Sequence, residues 1–372
     1  MERAALDEIS IRDVRNLAHV EVTLPAEGMA LVGENGQGKT NFLESLYYLQ
    51  LLRSFRGARD RELVRFGTAG FHISATLRGA PHRMVAVGFD RASKAKRVSL
   101  DGADVERLAD AIGAFPAVIF SPFDAVLVSG APSERRRFLD VILSLTSRRY
   151  LSALQRYRAA LVRRNAAMRE GSVAAGGSDH RVAVWEPALA EHGAVLFRER
   201  CTWVDAHASH FADLCTAIGE RGAAKLRYVS ALQAADDAEA ALKRMLEQKR
   251  TLDMRRGVTH AGPHRDDLEI ALEGRDLRTY GSAGQHRTAA IALRLLEAAT
   301  LRAHASREPV VLLDDPFAEL DNRRAGRILE LLNAEGRGQT VLAVPRSSDI
   351  PSGLTRLERW AIADGALSRE QR

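Results

Sequence analysis

The stretch GENGQGKT, residues 33–40, follows the apolar run Met29–Val32 and precedes NFLESLYYLQ, in which apolar residues return at helical spacing. It fits G-x-x-x-x-G-K-[ST], with Gly33, Gly38, Lys39 and Thr40 at the required places. The context of buried strand, glycine turn and helix gives the pattern a physical meaning. Glycines let the backbone curl so that successive N–H groups point at phosphate oxygens, and a helix opening near Gly38 adds the positive end of its dipole. Lys39 is expected to reach the β- and γ-phosphates, and the Thr40 hydroxyl to take one position on Mg²⁺. The nucleotide-binding residues read here are Gly33, Glu34, Asn35, Gly36, Gln37, Gly38, Lys39, Thr40 and Asn41, with ATP and Mg²⁺ as cofactors. Only six of the 54 basic residues are lysines, so chance supplies this pattern in well under ~1% of such chains.

The other half of such a site lies far along the chain. PVVLLDDPFAELD, residues 309–321, is an apolar strand ending in two carboxylates, the form of a Walker B segment. Asp314 is expected to hold Mg²⁺ and Asp315 to polarise the water that attacks the γ-phosphate, so the catalytic set is Lys39, Asp314 and Asp315. Thr40 and Asp314 stand 274 residues apart, which requires a large insertion.

Length and composition agree. A chain of 372 residues with 46% hydrophobic content can fill two domains. No run approaches ~20 apolar residues and MERAALDEIS lacks a signal-peptide core, so the expected location is the cytoplasm, with no membrane partner. Cys201 and Cys215 fall on one expected helix, roughly 21 Å apart, too far for a disulfide. The net charge of +6 and pI near 9.6 are compatible with nucleic acid.

The expected fold is α/β, a P-loop ATPase head with an inserted, mostly helical arm. Residues 1–125 read as short strands around one helix, including LDEISIRDV, HVEVTL, GFHISATLR, HRMVAVGF, KRVSLDG and PAVIFSP. Residues 126–250 read as the arm. Tyr150, Leu154, Tyr157, Leu161 and Met168 mark one stripe; GSVAAGGSDH (171–180) reads as a flexible turn. A helix from about Arg181 to Ile218 carries Trp185, Leu189, Leu196, Trp203, Phe211 and Leu214, with Pro187 in its first turn or at a kink. Residues 251–372 read as the return to the head.

GSAGQHRTAAIALRLLEAA (281–299) places a small polar loop before an amphipathic helix and resembles the signature motif of ABC-type ATPases. Ser282, Gly284 and Gln285 then form a second phosphate binder, which in that class meets the nucleotide of the other subunit. The AELD turn, 318–321, looks like the D-loop. Within the class the sequence resembles the RecF recombination-mediator proteins of bacteria over nearly its whole length. The resemblance rests on VRN (14–16), RSFR (53–56), FSPFD (120–124), PSERRRFLD (132–140), RYRAALVRRN (156–165) and GPHRDDL (262–268). It implies an ATP-dependent homodimer that binds DNA at the edges of single-stranded gaps, works with RecO and RecR to load RecA, and has weak DNA-stimulated ATPase activity. Four positions depart from the family: Val14 where an aromatic is usual, Phe123 where an acid is frequent, and Pro345 and Arg346 where threonines are usual. Ser347, Ser348 and Asp349 are left as candidates for the γ-phosphate sensor.

DNA is expected on an arginine-rich face comprising Arg135, Arg136, Arg137, Arg156, Arg163 and Arg164, since few acids share this stretch and the guanidinium fork suits phosphate. HRD at 264–266 matches the start of the kinase catalytic loop, but no asparagine lies five residues beyond the aspartate and no DFG follows, so His264 reads as a turn or interface residue. Two other functions compete with a DNA-stimulated ATPase: a nucleotide-gated scaffold with negligible turnover, and an ABC transporter ATPase subunit. Against the transporter stand an insert of more than a hundred residues and the missing switch histidine.

Overall fold

The computed structural model describes residues 5–171, 179–305, 307–317, 322–334 and 338–370. The AELD turn and most of the 171–180 turn lie outside the described residues. The chain divides into two units, the first holding residues 5–124 and 217–219 and the described residues from 290 to 370, the second 125–216 and 220–289.

The first unit has two six-stranded sheets. One is mixed, in the order Ala366–Arg369, Glu358–Ala363, Gly28–Val32, Thr340–Val344, Val310–Asp314, Ala117–Phe120. Its central strands pair in parallel, with Leu31 opposite Ala343 and Leu313 opposite both Leu342 and Phe120. Runs such as VVLLD and TVLAV are buried along their full length, the pattern of parallel strands covered on both faces. The other sheet is antiparallel, in the order Leu17–Thr23, Ala5–Val14, Gly70–Arg78, Met84–Asp90, Lys96–Leu100, Ala103–Asp104. Its strands alternate buried and exposed residues, as in MVAVGFD, because one face meets solvent. The helix Lys39–Leu51 contacts both sheets, and every residue from Phe42 to Leu51 is buried. A mostly apolar helix of this kind is stable where other elements cover it, with its buried polar residues such as Glu44 paired. Gly28 holds the central strand close to its neighbour: its φ is 105°, and a Cβ there would lie 1.8 Å from the Thr340 carbonyl oxygen.

The second unit is largely helical: Pro132–Thr146, Arg148–Gly171, Glu186–Ile218 as far as Thr216, and Ala238–Arg256. The long helix begins at Glu186 rather than near Arg181, where Asp179–Ala183 forms its own short helix. Pro187 sits in the first turn, where its missing N–H costs nothing. The stripe Tyr150, Leu154, Tyr157 and Met168 is buried, as are Leu189, Leu196, Trp203, Phe211 and Leu214. Both cysteines are free, and burial pushes each thiol up to about 12.

The boundary expected at residue 251 is corrected. Residues up to 289 cluster with the second unit, because DLEIAL (Asp267–Leu272) pairs antiparallel with AKLRYV (Ala224–Val229), Ile270 opposite Leu226. That strand lies inside the stretch read as helical arm. Its buried residues Leu226 and Tyr228 alternate with exposed ones, a signal too short to stand out between two helices.

Two buried polar clusters hold this unit. Arg200 donates to Asp140 (2.7 Å), the Tyr150 and Tyr228 hydroxyls (2.9 and 3.2 Å) and the Pro263 carbonyl (2.9 Å). Arg164, with no exposed surface, donates to Asp253 (2.8 Å), Glu186 (3.0 Å) and Thr259 (2.9 Å). Buried charges persist only when paired in this way. His264 joins the same turn region, its Nδ1 2.6 Å from the Tyr157 hydroxyl and its Nε2 3.0 Å from the Thr259 carbonyl. Burial lowers its pKa to about 4, so it is a neutral turn histidine at physiological pH.

Candidate nucleotide site

The phosphate loop leaves the strand Gly28–Val32 at Gly33 and enters its helix at Lys39. Gly36 and Gly38 have φ of 85° and 116°, conformations open to glycine. A Cβ on Gly38 would meet the Asn16 side chain at 2.9 Å. Gly38 is the N-cap and brings no side chain, so the helix end presents backbone N–H groups to the loop. The loop is clamped from two sides through Gln37. Its carbonyl accepts from Asn16 Nδ2 (3.0 Å) and the Gly365 N–H (2.9 Å), and its Oε1 from the Asp364 N–H (2.6 Å).

Lys39 is buried, and its Nζ donates to the carbonyls of Gly33 (2.5 Å) and Glu34 (2.8 Å). Burial lowers the pKa of its ammonium, while Asp314 and Asp315 oppose the shift. Thr40 Oγ1 lies 3.0 Å from both carboxylate oxygens of Asp314, which closes the 274-residue gap in the sequence. Burial lifts the Asp314 carboxyl to about 6, with Asp315 adding to the lift and Thr40 and Lys39 working against it. Asp315 sits at φ 45°, its N–H donating to the Ala343 carbonyl at 2.9 Å. A carboxylate and a hydroxyl facing each other beside a lysine are the hard oxygen donors that Mg²⁺ takes next to a triphosphate, so these residues fit both groups.

The VRN and RSFR stretches converge on the same helix. Arg15 donates from Nε and Nη2 to the buried Glu44 (3.1 and 3.3 Å), Ser54 donates its hydroxyl to Glu44, and Asn41 donates to Asn16 Oδ1 (2.8 Å). Arg56 lies 3.8 Å from Glu44 and 5.6 Å from the centre of the Phe123 ring. Asn16 and Glu44 are supports of the loop that no spacing rule marks. Glu34, Asn35 and Gly36 form its exposed rim.

Ser282 and Gln285 form a reciprocal cap at the start of the helix Ala283–Ala305. Gln285 N–H donates to Ser282 Oγ (3.2 Å) and Ser282 N–H to Gln285 Oε1 (2.9 Å). Ser282 is exposed, and Gly284 lies in the first turn. After the strand Thr340–Val344, Asp349 accepts from the Arg346 N–H (3.1 Å) and from Ser348 Oγ (3.3 Å), while Ser347 is half-buried.

The arginine set expected to meet DNA separates. Arg135 is buried, donating to both oxygens of Asp267 at 2.8 Å and to the carbonyls of Val128 and Gly130. Arg164 is the buried hub described above, and Arg136 donates to the Asp266 carbonyl (2.7 Å). Arg135 and Arg164 are therefore corrected from phosphate contacts to structural ions: in a segment short of acids, each finds a carboxylate more than twenty residues away. Arg137 is half-buried; Arg156 and Arg163 are exposed. Arg149 lies in line with two of them: Arg149, Arg156 and Arg163 repeat every seven residues and all three are exposed.

A parallel-centred sheet, a phosphate loop, a strand-end carboxylate pair and a capped signature helix define an ATPase head of the ABC and SMC type. A family model described as the RecF/RecN/SMC N terminal domain matches residues 5–350. The chain is 35% identical to the DNA replication and repair protein RecF of Salinibacter ruber, covering 92% of this chain and 85% of that one. It is 36% identical to the RecF of Frankia alni, covering 98% and 99%. A solved structure of the recombination mediator protein RecF-ATPrS in the RecFOR pathway superposes with a TM-score of 0.89 at 28% identity over 100% and 99% of the two chains. The Smc head domain of Pyrococcus furiosus, at 15% identity and a TM-score of 0.56, shares the fold over 98% and 95% of the two chains. The chain belongs to the RecF family of DNA replication and repair proteins.

Proposed function

We propose that the protein is an ATP-driven dimer that binds DNA at boundaries between single and double strands and helps load a recombinase there. The observation that carries the reading is the Thr40–Asp314 contact beside Lys39, which puts a Mg²⁺-ready oxygen pair at a phosphate cradle. Lys39 binds the β- and γ-phosphates, Thr40 and Asp314 hold the metal, and Asp315 orients the attacking water. Mg²⁺, when bound, neutralises charge on the transferred phosphoryl group. Ser282, Gly284 and Gln285 complete the site of a second copy, so that ATP joins two heads and hydrolysis releases them. RecO and RecR are the partners this reading implies, supported by the pathway of the solved RecF structure.

DNA is assigned to the exposed side of the helix Arg148–Gly171. Arg149, Arg156 and Arg163 stand roughly 10 Å apart along it at 1.5 Å per residue, with Ser152 and Ala159 leaving the surface low between them. The Arg163 guanidinium lies 5.2 Å from the Trp185 ring centre, a contact that holds it in place. Between residues 132 and 171 there are ten arginines and three acids, so this surface attracts a polyanion even with Arg135 and Arg164 neutralised internally. The testing experiment is ATP turnover with and without gapped DNA, with Lys39→Met as control. Stimulation by DNA that Lys39→Met abolishes supports the ATPase; DNA binding without turnover leaves the nucleotide-gated scaffold.

A further inference from the structure

The strands Glu358–Ala363 and Ala366–Arg369 form a hairpin whose turn is Asp364–Gly365. Both turn residues have positive φ, 49° and 79°, the pair of left-handed conformations that a two-residue type I′ turn requires and Asp-Gly accepts. The hairpin lies against the phosphate loop because its first strand pairs in parallel with Gly28–Val32, Ala361 opposite Val32. One residue further on, the fit is close: a Cβ on Gly33 would fall 2.4 Å from the Ile362 carbonyl oxygen.

Gln37 is where the loop and the turn meet, although 327 residues separate it from Asp364. Its side-chain Oε1 accepts the Asp364 N–H at 2.6 Å, and its carbonyl accepts the Gly365 N–H at 2.9 Å and Asn16 Nδ2 at 3.0 Å. Asn16 is itself fixed, its Oδ1 accepting from Asn41 Nδ2 at 2.8 Å. It also fills the space between two glycines. A Cβ on Gly365 would lie 2.2 Å from the Asn16 carbonyl oxygen, and one on Gly38 would lie 2.9 Å from the Asn16 side chain.

A trans peptide is planar, so its C=O and the N–H that follows point in opposite directions. With the Gln37 carbonyl turned to Asn16 and Gly365, the Gly38 N–H points away from both. Gly38 is buried, and among the described residues no protein acceptor takes this N–H. A buried donor left without an acceptor is costly, and an anionic oxygen held in the loop satisfies it. The positive charge that such an oxygen needs is adjacent, on Lys39 Nζ at the Gly33 and Glu34 carbonyls.

We propose that the Asp364–Gly365 turn is a positioning element of the nucleotide site, holding the Gln37 carbonyl outward so that the Gly38 N–H meets a phosphate oxygen. The proposal rests on the reading of residues 33–40 as the phosphate loop and adds the hairpin to it. The test uses the full chain with isotope-labelled glycine, read by NMR, together with equilibrium binding of Mg-ATP and Mg-ADP. In wild type the Gly38 amide resonance moves when either nucleotide binds. Gln37→Met keeps the size of the side chain and removes the acceptor of the Asp364 N–H; it weakens both nucleotides about fivefold, the scale of one hydrogen bond, and reduces the Gly38 shift. KM for ATP rises by the same factor with kcat unchanged, and the urea midpoint without nucleotide stays at the wild-type value. Gly365→Ala, which drives a methyl group into the Asn16 carbonyl, lowers affinity further; if it does not fold, Gln37→Met decides alone. Wild-type affinity and Gly38 shift in Gln37→Met overturn the proposal. A loss of affinity that comes only with a lower urea midpoint makes the turn a stability element, and the proposal fails. If wild type binds neither nucleotide, the phosphate-loop reading falls first and takes this one with it.

Discussion

Arg294 reaches Asp124 with Nε at 3.1 Å and Nη2 at 2.6 Å and gives Nη1 to Glu297 at 2.6 Å, a contact that joins the signature helix to the turn after the strand Ala117–Phe120. Asp124 also accepts from the Ser121 N–H (2.7 Å), so the FSPFD turn is folded around this carboxylate. Burial pushes the Glu297 carboxyl up and Arg294 opposes the push. Removing one partner leaves an uncompensated buried charge. Arg294→Met should destabilise the protein by about 3–5 kcal/mol, and adding Asp124→Asn should recover part of the loss. Urea unfolding of the two single variants and the double variant measures both effects; additive losses would mean the pair is not coupled.

The Asp314 carboxyl, at about 6, must be ionised to hold Mg²⁺. Protons therefore compete with the metal below pH 6, and the Mg²⁺-dependent part of ATP affinity should fall by about tenfold per pH unit there. For stability the sign is reversed. A folded pKa raised above the unfolded carboxylate range stabilises the metal-free protein below pH ~4, and this contribution is lost as pH rises through 6. Titrations of a fluorescent ATP analogue with and without Mg²⁺ from pH 5 to 8 check the first effect; a Mg²⁺ increment constant across that range would contradict it.

The sequence made the nucleotide site legible because its parts depend on local rules: a glycine loop at a helix start, an apolar strand ending in acid, a serine three residues before a glutamine. The join between them, Thr40 to Asp314, follows from what the motifs must share. The second unit was harder. Arg135 and Arg164 look like surface residues in a basic segment, and nothing nearby in sequence announces Asp267 or Asp253 as their partners. The strand Ala224–Val229 has meaning only once Asp267–Leu272 is beside it. Long-range pairing of this kind leaves no periodic trace, whereas the heptad of exposed arginines does.

The proposed function gives Asp315 and Asp314 different roles, so their amides should differ in effect. Asp315→Asn should keep Mg-ATP affinity within about twofold and lower turnover by a hundredfold or more, trapping the ATP-bound dimer. Equal loss of nucleotide affinity in Asp315→Asn and Asp314→Asn, measured by equilibrium binding, would make both carboxylates metal ligands.

Ser282 is exposed, and its side chain is bonded to the Gln285 N–H at the start of its helix. Ser282→Arg should leave ATP binding by one copy intact and block ATP-dependent dimerisation, whereas Lys39→Ala should abolish binding itself. Sedimentation velocity with and without Mg-ATP separates the two, and an undisturbed dimer in Ser282→Arg would remove the signature helix from the shared site.

The arginines supply the sharpest contrast, because adjacent residues on one helix have opposite expectations. Arg163 is exposed and Arg164 has no exposed surface, bound to Asp253 and Glu186. Changing Arg149, Arg156 and Arg163 together to alanine should leave unfolding nearly unchanged and lower the slope of log DNA affinity against log salt by about two to three units, one per released phosphate contact. Arg164→Ala should do the reverse, costing about 3–5 kcal/mol of stability with an unaltered slope in the fraction that folds. Salt titrations of binding to gapped duplex, paired with urea melts of the same preparations, read both. A triple variant with the wild-type slope moves the DNA surface off this helix. A slope that falls with Arg164→Ala in folded protein would mean that its buried ion pairs open when DNA arrives.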